Sequence, residues 1–271
     1  MSEIKPDIFN LPPVSEMLRA AGLKPKKSLG QNFLFDLNLT RKIARAVPDL
    51  ENSVVLEVGP GPGGLTRALL SSGAKKVIAV EKDDSIAAIL DEIKKAAGGR
   101  LEVIYGDAIN NGQWIIDNGQ FSICSNLPYN IGTELLTRWL HYPDKIKSMT
   151  LMFQREVAER IVARPGGRQY GRLSVLAALG WRAKILFNVP AAAFAPPPKV
   201  QSAVVQIVPD GKKYNIPKIE KLTALLFGRR RKMIRGILSD VDWKKFGLSG
   251  TERAEQLSPE KFSELADAIM L

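Results

Sequence analysis

Five apolar segments separated by helical patterns constrain the fold of this chain more than any other feature of its sequence. Each segment is apolar or β-branched and ends at turn residues, as buried strands do. The segments are Val54–Gly59, Lys76–Glu81, Leu101–Tyr105, Phe121–Ser125 and Ser148–Phe153, and the helical patterns between them are Gly64–Ser71, Asp84–Ala97 and Thr133–Tyr142. Strands that alternate with helices need crossover connections. The sequence therefore predicts an α/β fold, a doubly wound and mainly parallel sheet with helices on both faces.

The regions on either side of this alternating segment predict smaller parts of the fold. Two more strands, Lys184–Val189 and Ser202–Val208, are expected to pair antiparallel and close one edge of the sheet. We expect residues 1–209 to form the main domain, with a basic N-terminal arm over residues 1–35 that contains a helix at Val14–Ala21. Residues 210–271 predict a small all-helical C-terminal domain. Its expected helices are Lys218–Phe227, Arg230–Leu238 and Pro259–Ala268, the last of them capped by Ser258.

Charge and composition limit the classes of partner. Lys and Arg total 39 against 28 Asp and Glu, a net charge of +11, which favours a polyanionic partner, although a generally basic surface has the same composition. The single cysteine, Cys124, excludes an internal disulfide, and together with the single histidine, His141, it excludes a Cys/His metal cluster, so no metal is expected. No apolar run approaches the roughly 20 residues of a membrane span, and the N-terminus lacks an apolar signal core. We expect a cytoplasmic protein without a membrane partner.

A glycine-rich turn and two carboxylates mark a ligand site. The run Glu57-Val58-Gly59-Pro60-Gly61-Pro62-Gly63 follows the first strand and opens a helix, so a ligand can lie against bare main chain. Glu81 ends the second strand and Asp107 follows the third. Since the carboxyl ends of parallel strands share one edge, Glu81 and Asp107 together with Glu57 predict a negative crevice there. Such a crevice suits the sulfonium and ammonium of S-adenosylmethionine, with Glu81 accepting from ribose hydroxyls and Asp107 from the adenine amino group.

The run Asn126-Leu127-Pro128-Tyr129 follows the fourth strand and faces the same crevice. Hydrogen bonds to the Asn126 amide oxygen and the Pro128 carbonyl would turn an exocyclic amine toward tetrahedral geometry, with its lone pair aimed at a methyl donor. Tyr129 can stack on a base drawn out of its surroundings. The alternative is a strand-to-helix turn stiffened by proline, with Tyr129 merely packed.

Three basic clusters predict contacts to RNA phosphates, with the target chosen by RNA shape. The clusters are Arg229-Arg230-Arg231-Lys232 with Arg235 on a C-terminal helix; Lys24, Lys26 and Lys27; and Arg164, Arg168 and Arg172. A single cluster of this kind is more often a solvated surface than a binding site, but three of them on a chain with a net charge of +11, beside the base site, favour RNA contacts.

The chain closely resembles the ribosomal RNA adenine N6,N6-dimethyltransferase family, whose small-subunit members are the kasugamycin-sensitivity methylases, also called 16S rRNA dimethyladenosine transferases. The resemblance runs through nearly the whole chain. It is carried by the runs Ser28–Leu34, Glu57–Gly61, Ser125–Asn130, Phe153–Arg160, Tyr170–Val175 and Phe194–Val200.

The resemblance implies a Rossmann-like class I methyltransferase domain, S-adenosylmethionine as cofactor, and a role for each matching residue. Asn32 and Leu34 would contact the methionine end, Glu81 the ribose, and Asp107 the adenine. Gly59 would approach the cofactor through its backbone, and Gly61, Lys82 and Ala108 would complete the cofactor contacts. Asn126 would lie between cofactor and target amine, at the head of a catalytic run with Leu127, Pro128 and Tyr129, and Phe194 would face Tyr129 across the flipped adenine.

The resemblance also implies a substrate and leaves two alternatives. The expected reaction is N6-dimethylation of two adjacent adenosines near the 3′ end of small-subunit (16S) ribosomal RNA, in an immature 30S-type particle, by a monomer. One alternative is the related large-subunit methylases that confer macrolide resistance, against which the proline-rich Phe194–Val200 segment and the extended C-terminal domain count. The other is a ribosome-assembly factor for which catalysis is dispensable.

Overall fold

A computed structural model describes residues 8–26, 29–110 and 119–269 of the chain. Its strands are β1 (Phe33–Leu34), β2 (Val54–Val58), β3 (Lys76–Glu81), β4 (Leu101–Tyr105), β5 (Phe121–Asn126), β6 (Ile146–Gln154), β7 (Trp181–Val189), β8 (Phe194–Ala195) and β9 (Ser202–Pro209). Its α-helices are α1 (Val14–Ala20), α2 (Leu37–Arg45), α3 (Gly64–Ser71), α4 (Ala87–Ala96), α5 (Gly132–Trp139), α6 (Arg155–Ile161), α7 (Arg172–Ala178), α8 (Ile216–Phe227) and α9 (Pro259–Ala268).

The main sheet has the strand order β4-β3-β2-β5-β6-β9-β7. The pairs β2–β3, β3–β4, β2–β5 and β5–β6 are parallel, whereas β9 runs antiparallel to both β6 and β7. The predicted doubly wound sheet with an antiparallel pair at its edge is therefore confirmed. Chain order reverses between β2 and β5, and a crevice at the carboxyl ends of the strands is expected at such a switch point.

Alternate residues of each central strand bury on opposite faces of the sheet. Val77 and Ala79 pack with the core formed by α2, α3 and α4, while Ile78 and Val80 pack with the core of α5, α8 and α9. This period of two explains why the buried parallel strands read as continuous apolar runs.

The C-terminal helices share a hydrophobic core with the sheet. Phe262 of α9 lies in the same cluster as Trp181 of β7, and the buried Tyr170 hydroxyl donates to the Leu257 carbonyl at 2.9 Å. The division into residues 1–209 and 210–271 stays a prediction. Within the described residues, no helix is both long enough and apolar enough to span a membrane.

The predicted helix Arg230–Leu238 is wrong. The segment forms turns and a short 3-10 helix at Ile234–Gly236. Its backbone donors turn to a neighbouring loop, because the Ile234 N–H donates to the Glu252 carbonyl at 2.8 Å and the Arg235 N–H to the Gly250 carbonyl at 3.0 Å. These bonds replace the i→i−4 bonds of an α-helix. The cluster Arg229–Lys232 with Arg235 is exposed, but it does not lie on a helical face.

Several elements were missed from the sequence. The helices α2, α6 and α7 and the two-residue strands β1 and β8 were not predicted, and β1 and β8 pair antiparallel as a separate ribbon. This ribbon joins the end of the N-terminal arm to the segment that follows β7. Leu34 is paired with Phe194 in it.

Candidate active site

A cavity lies at the carboxyl ends of β2, β3, β4 and β5. Its walls are the glycine-rich turn, the residues that follow each strand, and residues 29–34 of the N-terminal arm. All the cofactor-binding residues predicted from the sequence line it, and so do Asn126, Leu127, Pro128 and Tyr129. The structure thus brings together at one edge of the sheet residues that are nearly 100 positions apart in the chain.

Two glycines of the turn, Gly61 and Gly64, allow the arm to approach closely. Gly61 has a φ of +54°, and a Cβ there would lie 2.8 Å from the Phe33 ring. A Cβ on Gly64 would lie 2.6 Å from the Leu34 carbonyl oxygen. Both neighbours belong to β1, so the bare backbone lets the arm close over the turn.

Glu81 ties the second strand to the glycine turn. Its side chain is 5% exposed, and its two oxygens accept from the Gly61 N–H at 3.0 Å and from the Asp83 N–H at 2.8 Å. Burial raises the pKa of Glu81, and these backbone hydrogen bonds oppose the rise. The carboxylate is held rigidly at the cavity wall.

Asp83 fastens the arm to this wall. Its oxygens accept from Lys26 Nζ at 2.6 Å and from Gln31 Nε2 at 2.8 Å. Burial alone would raise the pKa of Asp83, but the hydrogen bonds from Lys26, Ser85 and Gln31 outweigh it and hold the pKa at about 2. Lys26 is thus paired within the protein, and its predicted phosphate contact stays a prediction. Lys27 of the same predicted cluster, and Ser28, lie outside the described residues.

Glu57 does not supply the negative charge expected of it. Its side chain is fully buried and accepts from the Thr66 hydroxyl at 2.6 Å. Burial raises the pKa of Glu57 to about 8, against the lowering effect of the Thr66 hydrogen bond, and the nearby Glu81 charge adds to the rise. Glu57 is thus largely protonated at neutral pH. The negative charge of the crevice rests on Glu81 and Asp107.

Asp107 follows β4, next to the strand that ends at Glu81, and is paired with a cation. Its carboxylate is 2.8 Å from Lys82 Nζ and also accepts from the Ile109 N–H at 2.9 Å. The Lys82 hydrogen bond lowers the pKa of Asp107. The next residue, Ala108, is buried, so small apolar surface adjoins the carboxylate.

Asn126 presents an open acceptor. Its Nδ2 donates to the Asn32 carbonyl at 3.0 Å, which fixes the amide plane. Among residues 8–26, 29–110 and 119–269, no group donates to the Asn126 Oδ1, and Asn32 in turn is held by its own Nδ2 donating to the Gly30 carbonyl. The arm therefore orients the amide so that its oxygen is available to a ligand.

The Pro128 carbonyl is not available for the role predicted from the sequence. It already accepts from the Ile131 N–H at 3.2 Å and from the Gly132 N–H at 3.0 Å, where α5 begins. Two donors occupy both lone pairs of a carbonyl oxygen. The Leu127 carbonyl receives no hydrogen bond from the described part of the chain, so it replaces Pro128 as the second candidate acceptor.

Tyr129 and Phe194 are placed differently from one another. The Tyr129 ring lines the cavity, and its hydroxyl shares a 2.7 Å hydrogen bond with Ser202 Oγ at the start of β9. Burial raises the pKa of Tyr129, and the Ser202 hydrogen bond opposes this. Phe194 is 4% exposed and packs in the apolar cluster beside Leu34, and it does not line the cavity. Its predicted place opposite Tyr129 stays a prediction.

Two of the three predicted basic clusters adjoin. Arg230 Nε is 2.6 Å from a Glu255 oxygen, and its Nη2 donates to the Arg168 carbonyl at 3.2 Å. The Gly166 N–H also donates to the Glu255 carbonyl. The turn after α8 and the loop before α7 therefore form one surface. Arg172 lies farther along it, 3.9 Å from Glu220.

Sequence reasoning missed Asp83, Gln31, Thr66 and Ser202. Asp83, Gln31 and Ser202 act through side-chain partners distant in the chain, such as Gln31, which is 52 residues from Asp83, whereas Thr66 bonds Glu57 nine residues away. The one available signal in the sequence was the acidic residue Asp83, two positions after the strand-ending Glu81. This signal does not indicate which residue bonds to Asp83.

Comparisons with known proteins agree with this geometry. Residues 22–270 match a family model described as ribosomal RNA adenine dimethylase. A protein of Chelativorans sp. (strain BNC1) named ribosomal RNA small subunit methyltransferase A is 53% identical, over 96% of this chain and 98% of its own. A protein of the same name from Mesorhizobium japonicum is 50% identical, over 97% of this chain and 99% of its own.

Solved structures give the same result. A dimethyladenosine transferase from Plasmodium falciparum superposes with a TM-score of 0.73 at 27% identity, covering 86% of this chain and 95% of that one. The 23S rRNA methyltransferase ErmE, with a TM-score of 0.69 and 24% identity over 87% of this chain and 98% of that one, shares the fold. The architecture is that of class I S-adenosylmethionine-dependent methyltransferases. With the motif runs, the cavity and these relatives in agreement over almost its full length, the chain belongs to the ribosomal RNA adenine dimethylase family.

Proposed function

We propose that this enzyme transfers methyl groups from S-adenosylmethionine to N6 of two adjacent adenosines near the 3′ end of small-subunit ribosomal RNA, acting as a monomer on an immature 30S-type particle. One observation carries the chemistry: Asn126 Oδ1 and the Leu127 carbonyl are open acceptors at the end of β5, beside the glycine-turn cavity. The high identity to proteins named for the small subunit supports the substrate.

The residues of the cavity fit this cofactor. Bare glycine backbone faces one side, the fixed Glu81 carboxylate can accept from ribose hydroxyls, and Asp107 can accept from an adenine amino group. Asn32 and Leu34 of the arm are the groups for the methionine end. When bound, the cofactor supplies an electrophilic methyl group on a sulfonium.

The open acceptors act on the amine. The N6 lone pair of adenine is delocalised into the ring, which makes the amine a poor nucleophile. In the first transfer, two N–H groups donating to Asn126 Oδ1 and to the Leu127 carbonyl would turn the nitrogen toward tetrahedral geometry and free its lone pair. In the second transfer the monomethylated amine has one N–H, which would donate to one of these two acceptors. Once methylated, the nitrogen is acidic and loses a proton to solvent. A strong general base is therefore unnecessary, and none of the chain's carboxylates is assigned that role.

Tyr129 holds the base in place. Its ring lines the cavity next to Asn126, and the bond to Ser202 Oγ fixes the ring against β9. A base extruded from RNA gains stacking on such a ring. Phe194 would supply the second face after its ring turns out of the cluster beside Leu34. The surface formed by the turn after α8 and the loop before α7 supplies phosphate contacts.

Methylation of undermethylated small subunits tests the proposal. The wild-type protein is expected to place four methyl groups, two on each of two adjacent adenosines, and mass spectrometry of the 3′-terminal RNA fragment locates them. Large subunits serve as the second substrate, because methyl groups found there would instead support the macrolide-resistance branch. Unmodified N6 positions on small subunits, with active cofactor present, would refute the proposal.

A further inference from the structure

A groove between α2 and β7 lies outside the site described above. We name it the α2–β7 groove: Arg41, Lys42 and Arg45 of the helix and Phe187 of the strand line it, and we include Lys184, an exposed residue of the same strand. It was not predicted, because neither α2 nor the start of β7 was recognised in the sequence.

The helix side presents its cations on one face. Arg45 is four residues from Arg41 and three from Lys42, so the three side chains project from adjoining parts of the helix surface, and all three are exposed. Arg41 and Arg45 are roughly 6 Å apart along the helix axis.

The strand side faces the helix. Lys184 lies opposite Gln206 of β9, and Gln206 Nε2 donates to the Ala46 carbonyl at the end of α2 at 2.8 Å. Directly opposite residues of an antiparallel pair point to the same face, so Lys184 projects on the α2 side. A shift in register between Ile185 and Phe187 returns Phe187 to this face. Its ring lies 4.1 Å from Lys42 Nζ.

The cations of the groove are uncompensated. Within the described ranges of the chain, none of Arg41, Lys42, Arg45 and Lys184 forms an ion pair with a carboxylate. Some other helix cations are neutralised within one turn, as in Arg138–Glu134 and Arg160–Glu156, although Lys94 and Lys95 of α4 are not neutralised by any described residue. The nearby carboxylate of Asp36 is turned to the N–H groups of its own helix start. A like-charge cluster left unpaired destabilises the folded chain slightly, which is expected of a surface that meets a polyanion.

The groove also leads to the reaction site. The helix α2 begins directly after β1, and β7 continues through a short turn into β8. These two strands pair with each other, and Leu34 of β1 lines the cavity. A strand of nucleic acid leaving the cavity at this ribbon would therefore enter the groove.

We propose that the α2–β7 groove binds the phosphate backbone of the rRNA strand that flanks the target adenosines. The inference rests on the proposed function and adds a surface to it. Arg41, Arg45 and Lys184 would contact phosphates, and Lys42, held over Phe187, would lie between them. Contacts of this kind position the RNA without reading its sequence.

Salt-dependent binding of protein-free small-subunit rRNA tests the groove. The variant R41Q/K42Q/R45Q is compared with K75Q/K94Q/K95Q, which removes from the β3–α4 side of the sheet three exposed lysines that form no ion pair with any described residue. Each phosphate contact contributes about 0.7 to 0.9 to the slope of log affinity against log salt, so the groove variant is expected to lose roughly 2 units of slope. Its affinity is expected to fall on the order of tenfold to a hundredfold at low salt, while the control loses less than about threefold. The charge-keeping variant R41K/R45K should retain the wild-type slope.

Other readouts separate this inference from its alternatives. Cofactor affinity and the turnover number at saturating RNA should stay at wild-type values in the groove variant, while KM for RNA rises. Lys184→Gln, on a different element, should lose part of the slope even if the helix variant folds poorly. An unchanged slope, or a loss equal to that of the control, overturns the inference. Weaker binding to intact subunits but not to protein-free rRNA also overturns it, because a ribosomal protein would then be the partner. Absence of methylation by the wild-type enzyme would instead refute the proposed function, while the slopes still report on the groove.

Discussion

The two sides of the active-site cavity differ in how their polar groups are satisfied. On the cofactor side, Glu81, Asp83 and Asp107 are all engaged by donors of the protein, from Gly61, Lys26 and Lys82 respectively. On the target side, Asn126 Oδ1 and the Leu127 carbonyl have no donor from the described residues. The cofactor side is therefore preformed, with its carboxylates already bonded, whereas the target side keeps its hydrogen-bond acceptors open for the amine.

This difference follows from what each side must do. A carboxylate that is already oriented loses little conformational entropy when a ligand arrives, so the cofactor side gains affinity from preorganisation. An acceptor that must bond only the reacting amine has to be free until the base enters. Asn126 is half-buried, so water can satisfy its oxygen in the meantime.

Removing the open acceptor is expected to have the largest effect. In Asn126→Ala, methyl transfer should fall on the order of a hundredfold to a thousandfold, the range found when one preorganised polar contact to a transition state is lost. Single-turnover assays on undermethylated small subunits measure this. Asn52→Ala, which removes an exposed amide bonded to Asp49, is the matched control and should keep full activity. A loss of cofactor affinity large enough to explain the whole effect would show that Asn126 belongs to the cofactor side instead.

Disturbing the preformed side should act on affinity. In Glu81→Gln the new NH₂ group faces one of two backbone donors, from Gly61 and Asp83, so a buried hydrogen bond to a charge is lost. The bond proposed from a ribose hydroxyl to the Glu81 carboxylate also loses its charge, and since hydrogen bonds to charged groups contribute about 1.5 to 3 kcal/mol, we expect the cofactor Kd to rise by roughly tenfold to a hundredfold in calorimetric titration. Glu102→Gln breaks only the exposed pair with Lys76 and should change the Kd less than about twofold. An unchanged Kd in Glu81→Gln would contradict the assignment of Glu81.

The parts that the sequence did predict depend on local patterns. Apolar runs bounded by turns predict β2 and β3 to within a residue, and their alternation with helices predicts the crevice where Glu81 and Asp107 meet. The position of Asn126 followed because it ends a strand. Each of these inferences needs only the period of a strand and the direction of a parallel sheet.

The parts that the sequence did not predict depend on distant partners. Asp83 is held by Lys26, 57 residues away, and no local pattern pairs them. The helix expected at Arg230–Leu238 has suitable residues, but the loop at Gly250 and Glu252 takes its backbone donors. The charge expected of Glu57 was wrong because burial against Thr66, and not sequence position, sets its protonation. Tertiary contacts overrode the local signal in all of these cases.

The pH dependence of the unfolding free energy measures the cost of burying the Glu57 carboxyl group beside the cavity. Its folded pKa of about 8 lies above the ordinary value of 4.5, so the folded protein holds a proton that the unfolded chain releases. The loss of unfolding free energy caused by burying Glu57 is therefore absent at low pH, grows as pH rises from 4.5, and is complete only above about 8. Relative to Glu57→Gln, the wild type should lose about 2 kcal/mol of unfolding free energy between roughly pH 6 and pH 8. Urea unfolding of both proteins across this range measures the difference, and a difference that does not change with pH would contradict the buried, protonated state.

The smallest effect is expected where the arm is fastened to the preformed side. Lys26→Met removes the ammonium that lies 2.6 Å from Asp83 while keeping the length of the side chain, and the Gln31 bond to Asp83 remains. The Lys26 side chain is 46% exposed, so solvent screens the pair, and the gain from it is expected to be about 1 kcal/mol or less. We therefore expect the cofactor Kd to rise by only about threefold to fivefold, chiefly through faster dissociation as the arm opens more often.

The salt dependence and a control at a neighbouring lysine distinguish the Lys26–Asp83 ion pair from a general effect of charge. An exposed ion pair is weakened by salt, so the difference in cofactor Kd between wild type and Lys26→Met should narrow at roughly 1 M KCl. The difference in Kd caused by Glu81→Gln rests on a buried carboxylate and should persist at this salt concentration. Lys24→Met removes an exposed lysine from the same stretch of the arm and should leave the cofactor Kd unchanged. Equal effects of Lys24→Met and Lys26→Met would mean that the arm contributes only general charge. A larger effect at Lys26 alone, and only at low salt, would show that the ion pair with Asp83 holds the arm on the cofactor side. The arm would then link the two sides of the cavity, because Lys26 and Gln31 bond to Asp83 while Asn32, a few residues later, orients Asn126.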